Sequence, residues 1–139
     1  MKKTTQESIP EFPNCFVCGK NNPKGLKRKF TLHNKKAETK FIGNKTHIGY
    51  ENIVHGGIIS ALLDDAIIWA SYTSLNSFGV TAELNVRFIK PVPINKEFII
   101  NGEIVENKGK LLIGRGAMKD SSGEVFAAAK AKIIALNKI

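Results

Sequence analysis

An α+β fold, in which a curved antiparallel sheet wraps one buried helix, is the architecture that this 139-residue sequence predicts. Three observations lead there. The stretch from Gly57 to about Ser74 carries apolar residues on every face, as a helix surrounded by protein should. From Val80 onward the hydrophobic period changes to two, the period of strands. Short turn sequences, Asn107-Lys108-Gly109 and Asp120-Ser121-Ser122-Gly123, join these later segments, and tight hairpins demand antiparallel pairing.

Taken in order, residues 1–25 read as an N-terminal arm with a Cys-x-x-Cys turn, polar at first and punctuated by Pro10 and Pro13. Residues 26–139 read as a single domain with enough apolar content for a core. Leu26 to His33 and Ala37 to Ile42 alternate partially and flank Asn34-Lys35, a hairpin pattern. A loop is expected over 43–54, where Gly43, Asn44, Gly49 and Asn52 favour turns. The helix follows. Val80 to Ile89 then reads as a strand halted by Pro91 and Pro93, which lack the amide donors that a ladder needs. Glu97 to Val105, Lys110 to Met118 and Glu124 to Leu136 complete the set.

The formal charge of +9 invites a nucleic-acid reading, but 18 of the 21 basic residues are Lys scattered over turns and strand faces. The densest basic segment, Lys24 to Lys29, has no interleaved aromatic residues for base stacking. A solvated basic surface is expected, and nucleic acid is not expected as a partner. Such a field also suits a small phosphorylated ligand such as coenzyme A. Met1 to Glu7 holds two lysines with no apolar stretch behind them, unlike a secretory signal, and no segment reads as a membrane span. A cytoplasmic location is the expectation.

Cys15-Phe16-Val17-Cys18-Gly19 has the spacing of a zinc knuckle or a redox pair. A closed zinc site would need His33 and His47 to complete four ligands without a local motif. A redox pair wants a helix at its first cysteine, whereas Gly19, Asn21, Asn22 and Pro23 follow here. The expectation is a reduced cysteine-bearing turn, with no metal and no cofactor.

The strongest chemical signal is His55-Gly56-Gly57 with Asp64 inside the oily helix. Consecutive glycines cost backbone entropy at a helix start, yet they let an electron-rich oxygen approach the unpaired amides and the positive end of the helix dipole. A carboxylate in apolar surroundings needs a partner, water or a function. Donors for a developing oxyanion together with such an acid are a minimal kit for attacking an activated carbonyl. Gly57 and Asp64 share a helical face, but seven residues separate them by roughly 10 Å, more than one carbonyl spans. Asp64 is therefore expected to work with the helix tip of a second, antiparallel subunit. The competing structural reading is that Asp64 or Asp65 accepts hydrogen bonds from a neighbouring turn and that the glycines only relieve crowding.

Three blocks together resemble the hot-dog-fold acyl-CoA thioesterases of the phenylacetate-degradation type. They are Cys15 to Gly19 with Asn22-Pro23-x-Gly25-Leu26, His47-x-Gly49-Tyr50-x-x-Ile53-Val54-His55-Gly56-Gly57 through Leu62-Leu63-Asp64, and Thr81-Ala82-x-Leu84-x-Val86-x-Phe88-x-x-Pro91-Val92-Pro93. The resemblance implies a hot-dog fold, a homodimer or dimer of dimers, and hydrolysis of acyl-CoA to free acid and CoA. It assigns Gly56 the amide on the thioester oxygen and Asp64 the role of nucleophile or general base across the interface. His55 and Gly57 belong to the same helix tip, and Thr81 would position the water or carboxylate. The pattern departs at Gly49, where some members have asparagine, and Asp65 stands where glutamate is frequent. Trp69 and Phe78 are candidates to shape an acyl slot, and Arg87, Lys90 and Arg115 to meet CoA phosphates. A non-catalytic acyl-CoA-binding module and a hot-dog hydratase are the competing functions.

Overall fold

The computed structural model describes residues 4–5 and 11–136, the side chains of the first pair excepted. The expectations drawn from Met1 to Glu7 and from Pro10 otherwise lie outside the described residues. In chain order the elements are β1 (Thr4–Thr5), β2 (Thr31–His33), β3 (Lys36–Ile42), β4 (Ile48–Tyr50), β5 (Ile53–Val54), α1 (Gly56–Leu75), β6 (Gly79–Phe88), β7 (Glu97–Lys108), β8 (Leu111–Lys119) and β9 (Val125–Ala135). The main sheet runs β1-β2-β3-β7-β8-β9-β6 with every pairing antiparallel, and α1 packs against it. This is the hot-dog fold, as the resemblance implied.

The core lies between α1 and the inward side of the sheet. Alternation puts Phe98, Ile100 and Ile104 of β7, Leu112 and Met118 of β8 and Ile133 of β9 on that side. Leu62, Leu63 and Ile67 of the helix meet them with no exposed surface, each side chain contributing about 1.5–3 kcal/mol through burial. By length and composition α1 could cross a membrane, but eight of its residues are buried within the fold. Gly102 and Gly116, paired across β7 and β8, leave no room for side chains, the first against the helix backbone and the second against the neighbouring strand. A Cβ on Gly102 would stand 2.5 Å from the Ala66 carbonyl carbon, and one on Gly116 would stand 2.8 Å from the Asn101 carbonyl oxygen.

Three boundaries differ from those predicted, one of them because β7 runs on to Lys108, so that Asn107 and Lys108 of the expected turn pair with Leu112 and Leu111. The first strand is confined to Thr31–His33, because the chain before it pairs with the cysteine turn: Leu26 N–H donates to Phe16 O and Arg28 N–H to Val17 O, both at 2.8 Å. The expected loop over 43–54 contains the hairpin β4–β5, turned by Glu51 and Asn52, both in the left-handed region with φ of 53° and 62°. Neither of its strands shows an alternating apolar pattern long enough to read.

Candidate active site

The helix entrance is built by His55. Its backbone is extended, and its Nδ1 accepts the Gly57 amide at 2.8 Å, an N-cap made by an imidazole instead of the usual hydroxyl or carboxamide. The ring lies so near that a Cβ on Gly57 would stand 3.1 Å from Nδ1. Gly57 thus relieves crowding, while its amide is spoken for. The Gly56 amide, among the described residues, has no acceptor. It borders a largely apolar depression of about 430 Å³ lined by Tyr50, Ile53, His55, Ile59, Phe88 and others. His55 is held from behind, its amide donating to His47 O at 2.8 Å. His47 in turn accepts from Asn44 N–H through Nδ1 at 3.0 Å, and burial followed by the Arg28 charge lowers its pKa, keeping the acceptor form.

Farther along α1, Asp64 is half-buried and its Oδ1 accepts the Thr81 hydroxyl at 2.6 Å. Thr81 sits beside a register slip in β6 between Thr81 and Glu83. A bulge of this kind re-aims side chains. Gly56 and Asp64 are eight residues apart on one helix, about 12 Å along its axis. The fold therefore joins Thr81 to Asp64 and His55 to Gly56 and Gly57, as two separate groups within one chain.

Asp65, which the sequence marks only as standing where glutamate is frequent, faces the cysteine turn. Its Oδ1 lies 4.0 Å from Cys15 Sγ, its Oδ2 is buried, and the Cys18 and Trp69 side chains stand close enough to donate to the carboxyl. Burial pushes the Asp65 carboxyl well above the usual carboxylate range, and the charges of Cys15 and Asp64 add to this. The Cys15 thiol is pulled down, first by a hydrogen bond from the Cys18 side chain and then by the amides of Cys18, Val17 and Gly19, against the cost of burial. Cys15 and Cys18 are not joined in a disulfide.

The remaining candidates lie elsewhere. Trp69 and Phe78 form an aromatic cluster with Tyr72 and with Phe12 of the arm, ring centroids 4.6–6.3 Å apart. Arg115 is paired with Glu103 at 3.4 Å, Lys90 is paired with Glu124, and Arg87 is exposed on β6.

A model of the thioesterase superfamily matches residues 51–127, from the β4–β5 turn to the start of β9. The chain belongs to the thioesterase superfamily. Among curated proteins, MIOREX complex component 3 of Saccharomyces cerevisiae is 34% identical over 73 residues, 52% of this chain and 27% of that protein. An uncharacterized mitochondrial protein of Candida albicans is 29% identical over 79 residues, 56% of this chain and 35% of that protein. The chain spans only about a quarter to a third of these relatives. The mitochondrial relative overturns the cytoplasmic location expected above: the matching sequence is one part of a longer protein there, so the charge and hydropathy of Met1 to Glu7 do not set the compartment.

Solved structures share the fold. One thioesterase superfamily protein aligns with TM-score 0.77 at 21% identity, over 88% of this chain and 60% of its own. Zebra fish thioesterase superfamily member 2 gives 0.75 at 15% identity over 84% and 89%. A Streptococcus mutans protein bound to acetyl CoA gives 0.73 at 16% identity over 77% and 86%.

Proposed function

We propose that the chain hydrolyses acyl-CoA thioesters as a two-fold homodimer, each site combining Gly56 of one subunit with Asp64 and Thr81 of the other. The observation that carries this reading is the division of the site within one chain. A free amide donor at the helix tip and a hydroxyl-bound carboxylate two turns later cannot reach one carbonyl, yet an antiparallel second helix would bring them together. The means of pairing is available. Among the described residues β6 ends the sheet as an open strand edge with Val80 and Phe88 about half exposed, and such an edge is a template for another chain.

In this site the Gly56 amide donates to the thioester oxygen and stabilises charge that develops there as the carbonyl carbon becomes tetrahedral. Asp64, oriented by Thr81, attacks that carbon or takes a proton from the water that does. The carbon–sulfur bond then breaks, CoA leaves as thiolate and is protonated, and water supplies the oxygen of the free acid. The apolar depression beside Gly56 receives uncharged parts of the ligand. The acetyl CoA bound by the Streptococcus mutans protein supports a CoA ester as the ligand class here.

The test is thiol release from a panel of short, long and aromatic acyl-CoAs, comparing the native chain with Asp64→Asn. A fall of about 10²-fold or more in kcat is expected. Undiminished turnover in the variant overturns the assignment. Retention of acyl-CoA without hydrolysis by the native chain would leave a binding module instead.

A further inference from the structure

We propose that Cys15, Cys18 and Asp65 hold one thiophilic divalent cation of the Zn²⁺ class, which fastens the N-terminal turn to α1. Neither the superfamily assignment nor the hydrolytic reading uses these three side chains together.

The turn is shaped to present its sulfurs on one side. Gly19 N–H donates to Cys15 O at 2.9 Å, and Cys18 N–H reaches Cys15 Sγ at 3.5 Å, as in a metal knuckle whose amides stabilise the first thiolate. No side chain fits at the tip of this turn: a Cβ on Gly19 would stand 2.4 Å from Cys15 N and 2.5 Å from Pro13 O. Backbone bonds from Asn21, Leu26 and Arg28 to Pro13, Phe16 and Val17, each 2.8 Å, fix the turn on the chain leading into β2. The third donor comes from a helix fifty residues away. One ligand atom from each of the three residues lies within 4.8 Å of the others. Donors bound to one Zn²⁺, at about 2.3 Å for sulfur and 2.0 Å for oxygen, are roughly 3.5–4 Å apart across a tetrahedral angle. The site therefore needs only a small contraction.

The donor set also selects the ion. Two thiolates and one carboxylate oxygen suit Zn²⁺ and disfavour Mg²⁺ or Ca²⁺, which want oxygen alone. Asp65 Oδ2 is shielded from solvent, with the Cys18 and Trp69 side chains as its nearby donors, and a cation beside the carboxylate offsets the cost of burying its charge. Binding releases the thiol protons still present to solvent. With three protein ligands, the fourth position falls to water or another small donor. The ion would sit one residue from Asp64 in sequence, holding its helix turn in place without touching a substrate.

The experiment uses the full chain, reduced, stripped with chelator and titrated with Zn²⁺ against a chromophoric competitor, with Co²⁺ as a spectroscopic substitute. One Zn²⁺ per chain is expected, and Co²⁺ should show thiolate charge-transfer absorption with tetrahedral ligand-field bands. Asp65→Asn, close in shape, and Cys18→Ser should each weaken binding by about tenfold or more, since even loss of an outer partner costs about that much. Circular dichroism verifies that each variant is folded. Asp64→Asn should keep full stoichiometry. A reduced native chain that takes up no Zn²⁺, or an Asp65→Asn chain that binds it as tightly as the native one, overturns the proposal. The readout is the metal, so failure of the hydrolytic reading leaves it untouched.

Discussion

The Thr81 hydroxyl donates to Asp64 Oδ1 across 2.6 Å, joining the edge strand β6 to the middle of α1. The bond fixes one carboxylate oxygen and sets the direction of the other. A hydrogen bond to a charged group contributes about 1.5–3 kcal/mol, and each 1.4 kcal/mol is a factor of ten in rate. Thr81→Val should therefore lower kcat of thioester hydrolysis by about 10- to 100-fold with little change in KM, and Thr81→Ser should restore most of it. Steady-state thiol release measures both. Equal kcat in native and valine forms would remove Thr81 from the site.

The two helix-tip glycines should separate under mutation. A Cβ on Gly56 meets the Phe88 ring at 3.4 Å, ordinary contact, so Gly56→Ala should fold with an unchanged or higher Tm, alanine being the better helix former by about 1 kcal/mol. Its methyl group would stand beside the free amide, and activity should drop more than about tenfold through a lost oxyanion contact. Gly57→Ala instead presses on the His55 ring at 3.1–3.2 Å. Loss of that cap costs about 0.5–2 kcal/mol, so thermal melts should show a lower Tm for Gly57→Ala than for Gly56→Ala. The reverse order would mean that the imidazole is not the cap.

Much of this was legible in the chain, for physical reasons that differ by element. The helix and the four strands after it announce themselves because each is buried on a regular period and bounded by turn residues. Leu26 imitates a strand residue since it is buried, yet it and Arg28 bond to the cysteine turn. Asp64 and Thr81 could be named from pattern and resemblance, but their direct bond depends on the bulge after Thr81, which leaves no sequence period. The His55 cap escaped notice because histidine is an uncommon residue for that position. Cys15 and Asp65 meet only through tertiary packing across fifty residues. The clue available is an Asp65 that the proposed hydrolysis does not use, in the same chain as an unexplained Cys-x-x-Cys.

Close approach of sheet and helix makes Gly102 the most demanding position in the core. A methyl group there would meet backbone atoms of Ala66 and Ile67 at 2.5–2.7 Å, and backbone cannot rotate away as a side chain can. Overpacking of this kind costs about 1–3 kcal/mol or more. Gly102→Ala should lower the urea midpoint markedly, whereas Gly123→Ala, with open space around it, should be limited to the strain of its φ of 89°. If Gly102→Ala melts like the native chain, the helix sits farther from β7 than described.

Acid stability should carry the signature of Asp120 in the β8–β9 turn. Its Oδ1 accepts from Ser122 Oγ at 2.7 Å and from the amides of Ser122 and Glu124 at 3.0 Å, with Lys96 Nζ 3.4 Å from Oδ2. The Ser122 hydroxyl foremost, then the two amides and Lys96, hold the carboxyl down at about 2, against an ordinary value of 3.8. The folded chain thus binds fewer protons than the unfolded chain between these values, and stability falls with pH across that window. The Asp120 contribution is fully present above the ordinary value and is lost as pH drops toward 2. Asp120→Asn keeps an acceptor oxygen but cannot titrate, so its stability curve should run below the native one at neutral pH and converge with it in strong acid. Urea denaturation at steps between neutrality and strong acid measures the gap. A constant gap across the acid limb would show that Asp120 titrates alike in both states.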